Sequence, residues 1–130
     1  TTPNDIALAD VRKGADMFKK VDTPLLGVVE NMSYMSIDGN ISNANDVTLS
    51  INNENISIND DGSFNLRFHL FKKGGGLSES QRLEIPFLGE IPYSNDLMRS
   101  IDSGNPIVFE DTESEIKNLF IELAKKVTLL

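Results

Sequence analysis

The 130-residue sequence contains no cysteine, and its basic residues are few. Without cysteine, the chain can build neither a disulfide framework nor a thiolate-ligated zinc or iron–sulfur site from its own residues. Twelve Lys and Arg against twenty Asp and Glu give a net charge of −8, which repels the phosphate backbone of nucleic acids. We therefore expect no nucleic acid among the partners.

Long apolar runs are also missing. The run from Leu25 to Val29 is far shorter than the roughly 20 residues that a membrane span needs. The sequence starts at Thr1 with no Met, no basic lead and no apolar leader, so we expect this start to be a boundary with further sequence upstream. These features predict a cytoplasmic chain without membrane contact, and its length suits one domain or part of one over residues 1–130.

The amino-terminal third predicts a helix followed by a buried strand. Thr2, Pro3 and Asp5 have the form of a helix start, with a hydroxyl cap, Pro at the first helical position and a carboxylate in the first turn. The apolar run at residues 25–29 does not alternate with polar residues, which is typical of a strand covered on both faces. This strand is expected to end in a loop at residues 30–33.

The carboxy-terminal part repeats this alternation. A short helix at residues 77–83 precedes a second apolar strand at 86–91, which is expected to end at Pro92. Ser94 can cap a third helix that closes at Gly104, and residues 112–115 form a capping box for the last helix. The order of elements predicts an α/β fold with a partial parallel sheet and flanking helices.

The middle of the chain follows a different pattern. Apolar residues alternate with polar ones at period two between residues 47 and 70, as expected for half-buried antiparallel strands. The pairs Asp38-Gly39, Asn52-Asn53 and Asp61-Gly62 lie between these runs, and their residues accept the positive φ of tight hairpins. We predict a β-meander inserted at about residues 35–71.

Ligands of open α/β sheets bind outside the carboxyl ends of the strands, which directs attention to the ends of the two buried strands. Asn31 offers a carboxamide that can read the edge of a nucleobase, and Pro92 can frame a flat ring. The same residues also serve as an ordinary turn cap and strand terminator. From the residues alone, the turn interpretation is favoured.

Other candidates have simpler explanations. Residues 74–76 are three glycines with no Lys after them, so they do not form the loop in which backbone amides and a Lys bind phosphates. His69 is the only histidine and lies in an alternating segment, where a surface or packed residue is more common than a ligand. Asp60 and Asp61 lack the other ligands of a calcium loop, and Asp61-Gly62 is explained as a turn.

Four stretches resemble a known family. They are TTPNDIALADVRKG at residues 1–14, GVVENMSY at 27–34, PFLGEIP at 86–92 and SGNPIV at 103–108. They closely resemble the Mrp/ApbC family of iron–sulfur cluster carrier ATPases, over residues 1–34 and 74–130 but not across the middle. The resemblance implies a MinD-like P-loop NTPase fold and ATP-dependent homodimers that hold an iron–sulfur cluster and pass it to apoprotein clients.

The resemblance also implies roles for three residues. Asn31 matches the family's Asn that faces adenine, and Pro92 with Tyr93 matches the loop that closes over the base; none of the three is catalytic. The family's phosphate loop and magnesium-binding Asp would lie upstream of Thr1. We therefore expect ATP as the cofactor of a longer parent, and no ATP hydrolysis by this chain alone.

The family's cluster ligands are absent. The family carries a Cys-x-x-Cys pair after the NMSY stretch, where this sequence has MSIDGN at residues 35–40. No thiolate is therefore present for an iron–sulfur cluster.

Two alternatives stay open at this point. In the first, the β-meander is a protein-interaction or dimerisation module that pairs by strand-edge addition. In the second, the chain belongs to a partitioning or septum-site ATPase of the same superfamily, some of which dock on membranes by a basic last helix. Here the lysines of the last helix are offset by Glu113, Glu115 and Glu122, which disfavours membrane docking.

Overall fold

The computed structural model of the chain describes residues 1–43, 46–110 and 114–129. The predicted alternation of helices and strands outside the middle is confirmed. The elements are α1 (Asp5–Lys20), β1 (Val28–Asn40), β2 (Leu49–Ile51), β3 (Glu54–Ile56), β4 (Ser63–Phe68), α2 (Gly75–Leu83), β5 (Phe87–Tyr93), α3 (Asn95–Ser103), a 3-10 turn (Ile107–Phe109) and α4 (Glu115–Thr128).

The main sheet has three strands in the order β4-β1-β5. β1 pairs with β5 in parallel, from Val28 opposite Phe87 to Asn31 opposite Ile91. Its later part, Met35 to Asn40, pairs with β4 in antiparallel fashion. The fold is thus α/β as predicted, but the sheet is mixed rather than parallel, because one long strand takes part in both pairings.

β1 corrects the predicted strand end at residues 30–33. The strand continues through these residues to Asn40, with a register shift relative to β5 between Asn31 and Met35. Met32 has a φ of +54° at this point, and Ser33 and Tyr34 behind it are buried. The extra residues are taken up in a bulge, so the chain bends without leaving the sheet. Asn31 accordingly lies inside a strand rather than in a loop after one.

β5 likewise runs past its predicted end. Pro92 is buried within the strand, which continues to Tyr93. The bulge of β1 explains why a proline is tolerated here. No residue of β1 is in register with Pro92, since the pairing passes from Ile91 to Tyr93, and the missing N–H breaks no ladder hydrogen bond.

The middle segment, residues 35–71, is not the single meander that was predicted. β2 and β3 form a separate two-stranded hairpin, whereas β4 joins the main sheet. The turn at Asn52 and Asn53 is confirmed, since both have positive φ. The turn predicted at Asp38-Gly39 is wrong: both residues pair with β4, and the missing side chain of Gly39 leaves room for the Phe64 ring.

α1 begins where expected, but its cap is different. Asn4 is the N-cap, and its Oδ1 accepts a hydrogen bond from the Ala7 amide at 2.8 Å. Thr2 does not cap the helix, because its hydroxyl accepts from the Asn4 side chain at 2.8 Å. Pro3 is buried instead of opening the helix. The carboxamide of Asn4 therefore takes the role assigned to the Thr2 hydroxyl.

The two carboxy-terminal helices were predicted with different success. Ser94 caps α3 and Gly104 ends it in the left-handed conformation, as expected. The capping box predicted for α4 involves Thr112 and Glu113, which lie outside the described residues. Among those described, Ser114 is the N-cap of α4, and its hydroxyl accepts from the Lys117 amide at 3.1 Å.

The helices before β1 and β5 pack through both apolar and charged contacts. Ala15 of α1, Val28 of β1 and Leu83 of α2 form a buried cluster. Beside it, the Glu79 side chain is 1% exposed and binds the guanidinium groups of Arg12 and Arg82. α1 and α2 are thus joined by a buried carboxylate. No helix in the described part of the chain is long and apolar enough to cross a membrane.

Candidate functional site

The structure places the three predicted site residues on adjacent parallel strands. Asn31 on β1 is in register with Ile91 on β5, the residue before Pro92 and Tyr93. All three lie near the carboxyl end of the parallel pairing, where α/β sheets bind ligands. The parallel pairing of β1 with β5, which the sequence predicted, therefore places the three residues at the same end of the sheet.

Asn31 is exposed, and its backbone is held by its neighbours. Its amide donates to the Thr1 carbonyl at 2.6 Å, and the Thr1 backbone nitrogen donates to the Val29 carbonyl at 3.0 Å. Its side-chain Oδ1 accepts from the Met32 amide at 3.0 Å. The carboxamide is therefore oriented by a local contact while its Nδ2 has no protein acceptor within residues 1–43, 46–110 and 114–129.

Pro92 and Tyr93 border a cleft of about 290 Å³. It is lined by Met35, Ser36, Pro92, Tyr93, Ser94, Asn95, Asp96, Ser114, Glu115 and Ile116. Asn31 is not among these residues. The structure thus unites two of the predicted residues in one cleft and leaves the third on the neighbouring strand, on the other side of the bulge.

The charges around this cleft limit what it can accept. α3 and α4 both begin here, and the amino-terminal end of a helix favours a negative charge. Asp96 and Glu115 already lie in the first turns of these helices. Because the helix ends are occupied by the chain's own carboxylates, the cleft suits an uncharged ring better than a phosphate.

The glycine-rich segment makes a contact within the protein. Gly74 has a φ of +77° and precedes α2, in agreement with the predicted turn into a helix. The Gly76 amide donates to Oε2 of Glu30. Glu30 is only 1% exposed. A Cβ on Gly76 would lie 2.9 Å from Cβ of Glu30. This amide serves a buried carboxylate and does not fit the phosphates of a nucleotide.

The bulge of β1 involves residues that sequence reasoning did not assign to the site. Ser33 and Tyr34 are buried, and the Ser33 carbonyl is 3.0 Å from Nδ1 of His69. The Arg67 guanidinium lies 4.7 Å from the centre of the Tyr34 ring. Burial raises the pKa of the Tyr34 hydroxyl, and the charge of Arg67 opposes that rise. The apolar alternation predicted a strand near His69 but did not indicate that His69 contacts Ser33.

No metal centre is apparent in the described part of the chain, where no three His, Cys, Asp or Glu side chains converge. Neither Asp60 and Asp61 nor His69, to which the sequence analysis assigned no metal, belongs to such a group. The Asp61 carboxylate instead accepts from the amide and hydroxyl of Ser63, and these hydrogen bonds lower the pKa of Asp61. Asp61-Gly62 is a turn, as predicted.

Comparison with known proteins identifies similar sequences throughout the chain. The ParA family model, described as NUBPL iron-transfer P-loop NTPase, matches residues 1–47 and 40–128. The chain is 32% identical over 127 residues to the iron-sulfur cluster transfer protein NUBPL of Dictyostelium discoideum. It is 34% identical over 124 residues to an iron-sulfur cluster carrier protein of Pseudomonas fragi and 34% identical over 127 residues to one of Salmonella typhimurium.

These matches cover unequal shares of the two sequences. They include 98%, 95% and 98% of this chain but only 32%, 35% and 28% of the three relatives, so the chain spans about a third of their length. They also run through the middle segment, where the sequence alone had suggested that the resemblance fails.

Proposed function

We propose, because the chain belongs to the family of NUBPL iron-transfer P-loop NTPases, that it is the carboxy-terminal part of an ATP-binding iron–sulfur cluster carrier. In this proposal Asn31, Pro92 and Tyr93 lie on the adenine side of the nucleotide site. The parent protein acts as a cytoplasmic homodimer that hydrolyses ATP and delivers its cargo to apoprotein clients.

The adenine role is supported above all by the position of Asn31, which is in register with Ile91, the residue before Pro92 and Tyr93. An exposed carboxamide carries both a donor and an acceptor, which is the complement of a base edge. Pro92 and Tyr93 border the neighbouring cleft, whose acidic helix starts favour a neutral ring. These residues bind and orient; none of them has a chemical role in hydrolysis.

The phosphate side of the site belongs to other parts of the parent. In this chain the amide of Gly76 is engaged by Glu30, which leaves no glycine-rich loop for phosphates. ATP, when bound to the parent, supplies the phosphoanhydride that is hydrolysed there. The purified chain should accordingly release no phosphate from ATP in the presence of Mg²⁺.

The cluster is cargo, and this chain does not hold it by thiolates. The sequence has no Cys, and no group of metal-ligating side chains lies among the described residues. Any cluster carried by the parent would therefore be ligated outside residues 1–130.

The adenine role is testable by nuclear magnetic resonance with the ¹⁵N-labelled chain. Adenosine should shift the amide signals of Asn31, Met32 and Tyr93. Because the chain holds only the adenine side of the site, we expect a dissociation constant on the order of 1 mM. Cytidine at equal concentration should shift them much less. Asn31→Ala should remove the response, whereas Asn55→Ala, which alters an exposed Asn of β3, should preserve it.

Two results would contradict the proposal. One is an equal response to adenosine and cytidine, since an adenine site distinguishes their base edges. The other is an adenosine response that survives Asn31→Ala, because the carboxamide would then make no contact with the base.

A second candidate function follows from the position of β4 at the edge of the main sheet. An edge strand exposes unpaired backbone groups that can receive a strand of another chain. The β2-β3 hairpin contacts β4 and, among the residues that the structure describes, forms a two-stranded sheet of its own. As an interaction module, the middle segment would join two copies, or one copy and a client, without carrying a cluster.

Light scattering after size-exclusion chromatography tests this second candidate. Replacing residues 47–58 with a short turn removes the hairpin but keeps β1 and β4. A module that uses the hairpin as well as the β4 edge predicts weaker self-association or client binding in the shortened chain. Unchanged association would leave the hairpin without such a role.

A further inference from the structure

The bulge of β1 carries Asn31 at its start and must be held in shape. Four residue steps on β1, from Asn31 to Met35, face only two on β5, from Ile91 to Tyr93. Met32 has a φ of +54°, an unfavourable conformation for a residue with a long side chain. The ladder itself does not fix residues 32–34, so contacts outside it determine the geometry of the bulge.

Ser33 is the residue through which the bulge is fixed. It is 0% exposed and is contacted from both neighbouring strands. Its hydroxyl donates to the Ile91 carbonyl of β5 at 3.4 Å. On the other side its carbonyl lies 3.0 Å from Nδ1 of His69, just after β4. Since a carbonyl only accepts, the proton of this hydrogen bond resides on Nδ1.

The imidazole of His69 is itself held in place. Its ring lies 6.1 Å from that of Tyr34, centre to centre, at a tilt of 59°. Tyr34 is 4% exposed, and the Arg67 guanidinium covers its ring on the β4 side. A ring placed by these contacts presents Nδ1 to Ser33 with little freedom to turn away. Without it, the buried carbonyl would lose a hydrogen-bond partner, which is costly.

We propose that His69 is a positioning residue that acts through Ser33 to hold the bulge and thereby present the carboxamide of Asn31. The part concerning adenine rests on the proposed function; the part concerning the bulge does not. His69 contacts no base itself. Through His69, the middle segment at residues 35–71 influences the position of Asn31 in the proposed adenine site.

The test compares three variants of the ¹⁵N-labelled chain by amide hydrogen exchange and adenosine titration. His69→Ala removes the donor, whereas His69→Asn keeps a side-chain N–H near the position of Nδ1. Asn65→Ala is the matched control, because it breaks hydrogen bonds from β4 to Ser36 and Asp38 at 2.8 and 2.7 Å without touching Ser33. All three changes lie outside the proposed adenine contacts.

We expect His69→Ala to speed exchange of the amides of residues 32–34 by about five- to tenfold, the loss of one hydrogen bond. The adenosine-induced shift of Asn31 should weaken in the same variant. His69→Asn should restore both, and Asn65→Ala should alter neither. If His69→Ala does not fold, His69→Gln replaces it, since its amide reaches the position of Nε2 and should not restore the bulge.

Three results would overturn the role of His69. They are unchanged exchange at residues 32–34 in His69→Ala, an equal change in Asn65→Ala, or no restoration by His69→Asn. A wild-type chain that ignores adenosine would instead contradict the proposed function. In that case the exchange measurements still decide whether His69 holds the bulge.

Discussion

The two halves of β1 differ in whether their polar side chains are buried or exposed. In the first half Glu30 is buried and accepts from the Gly76 amide of α2. In the second half Ser36 and Asp38 lie near the surface and accept from Asn65 of β4. In the first region a polar group is enclosed and needs its partner, whereas in the second water can replace one.

This difference predicts where substitutions are costly. Helices α2 and α4 pack on the parallel region, so its charged and small residues are constrained by packing. The antiparallel region and the hairpin are half exposed and rely on local turns. Three pairs of substitutions, in order of decreasing expected effect, test whether the two regions differ in this way.

The largest effect is expected for Glu79→Gln. The Glu79 side chain is 1% exposed and accepts from Nε of Arg12 at 2.6 Å and from Nε of Arg82 at 2.7 Å. Loss of its charge should lower the free energy of unfolding by about 1.5–3 kcal/mol, the range for hydrogen bonds to charged groups. Urea denaturation at neutral pH measures it.

The pH dependence of this effect has a definite sign. The hydrogen bond from Arg12, followed by that from Arg82, lowers the pKa of Glu79 in the folded chain despite its burial. Its stabilising effect is therefore present above the unfolded pKa of about 4.3 and is lost as the pH falls through the lower folded pKa. The difference between wild type and Glu79→Gln should shrink in that acidic range.

Glu122→Gln is the matched control. Lys125 donates to Glu122 at 2.7 Å and lowers its pKa, but both side chains are exposed. Exposed pairs contribute little, so this variant should unfold at nearly the wild-type urea concentration. Equal losses in the two variants would show that burial of Glu79 is not what matters.

A second pair compares two glycines in helices. Gly76→Ala would place a Cβ 3.0 Å from Oε2 of Glu30 and 3.3 Å from the Phe87 ring, and the overpacking should cost about 2 kcal/mol. Gly14→Ala meets nothing within 4 Å and should stabilise α1 by about 0.5–1 kcal/mol. Thermal unfolding of both variants measures the difference. A shift in the same direction for both would contradict the packing argument.

The sequence predicted the features that depend on local signals and missed those that depend on pairing between strands. Local signals gave the ends of α3, with Ser94 as its cap and Gly104 as its terminus, and the order of elements outside the middle. They failed at β1, where Asn31 and Met32 resemble a turn but lie in a bulge. A bulge depends on the partner strand, and no local pattern records that partner.

The candidate site was predictable only in part. The residues at the strand ends drew attention to Asn31 and Pro92, and the family resemblance added Tyr93. Their arrangement on adjacent strands depends on the pairing of β1 with β5. The contact between His69 and Ser33 joins residues 36 positions apart, so alternation in either segment could not reveal it.

The smallest effect is expected in the hairpin, at Asn53. Asn52 and Asn53 have φ values of +52° and +66°, and a glycine at the second position suits such a turn. Asn53→Gly should slow exchange of the hairpin amides about twofold, because glycine adopts positive φ without strain. Asn55→Gly, in the middle of β3, should speed their exchange, since glycine weakens a strand interior.

Neither change should move the global unfolding transition, because β2 and β3 pair only with each other within the described part of the chain. A shift of that transition by either variant would mean that the hairpin unfolds together with the main sheet.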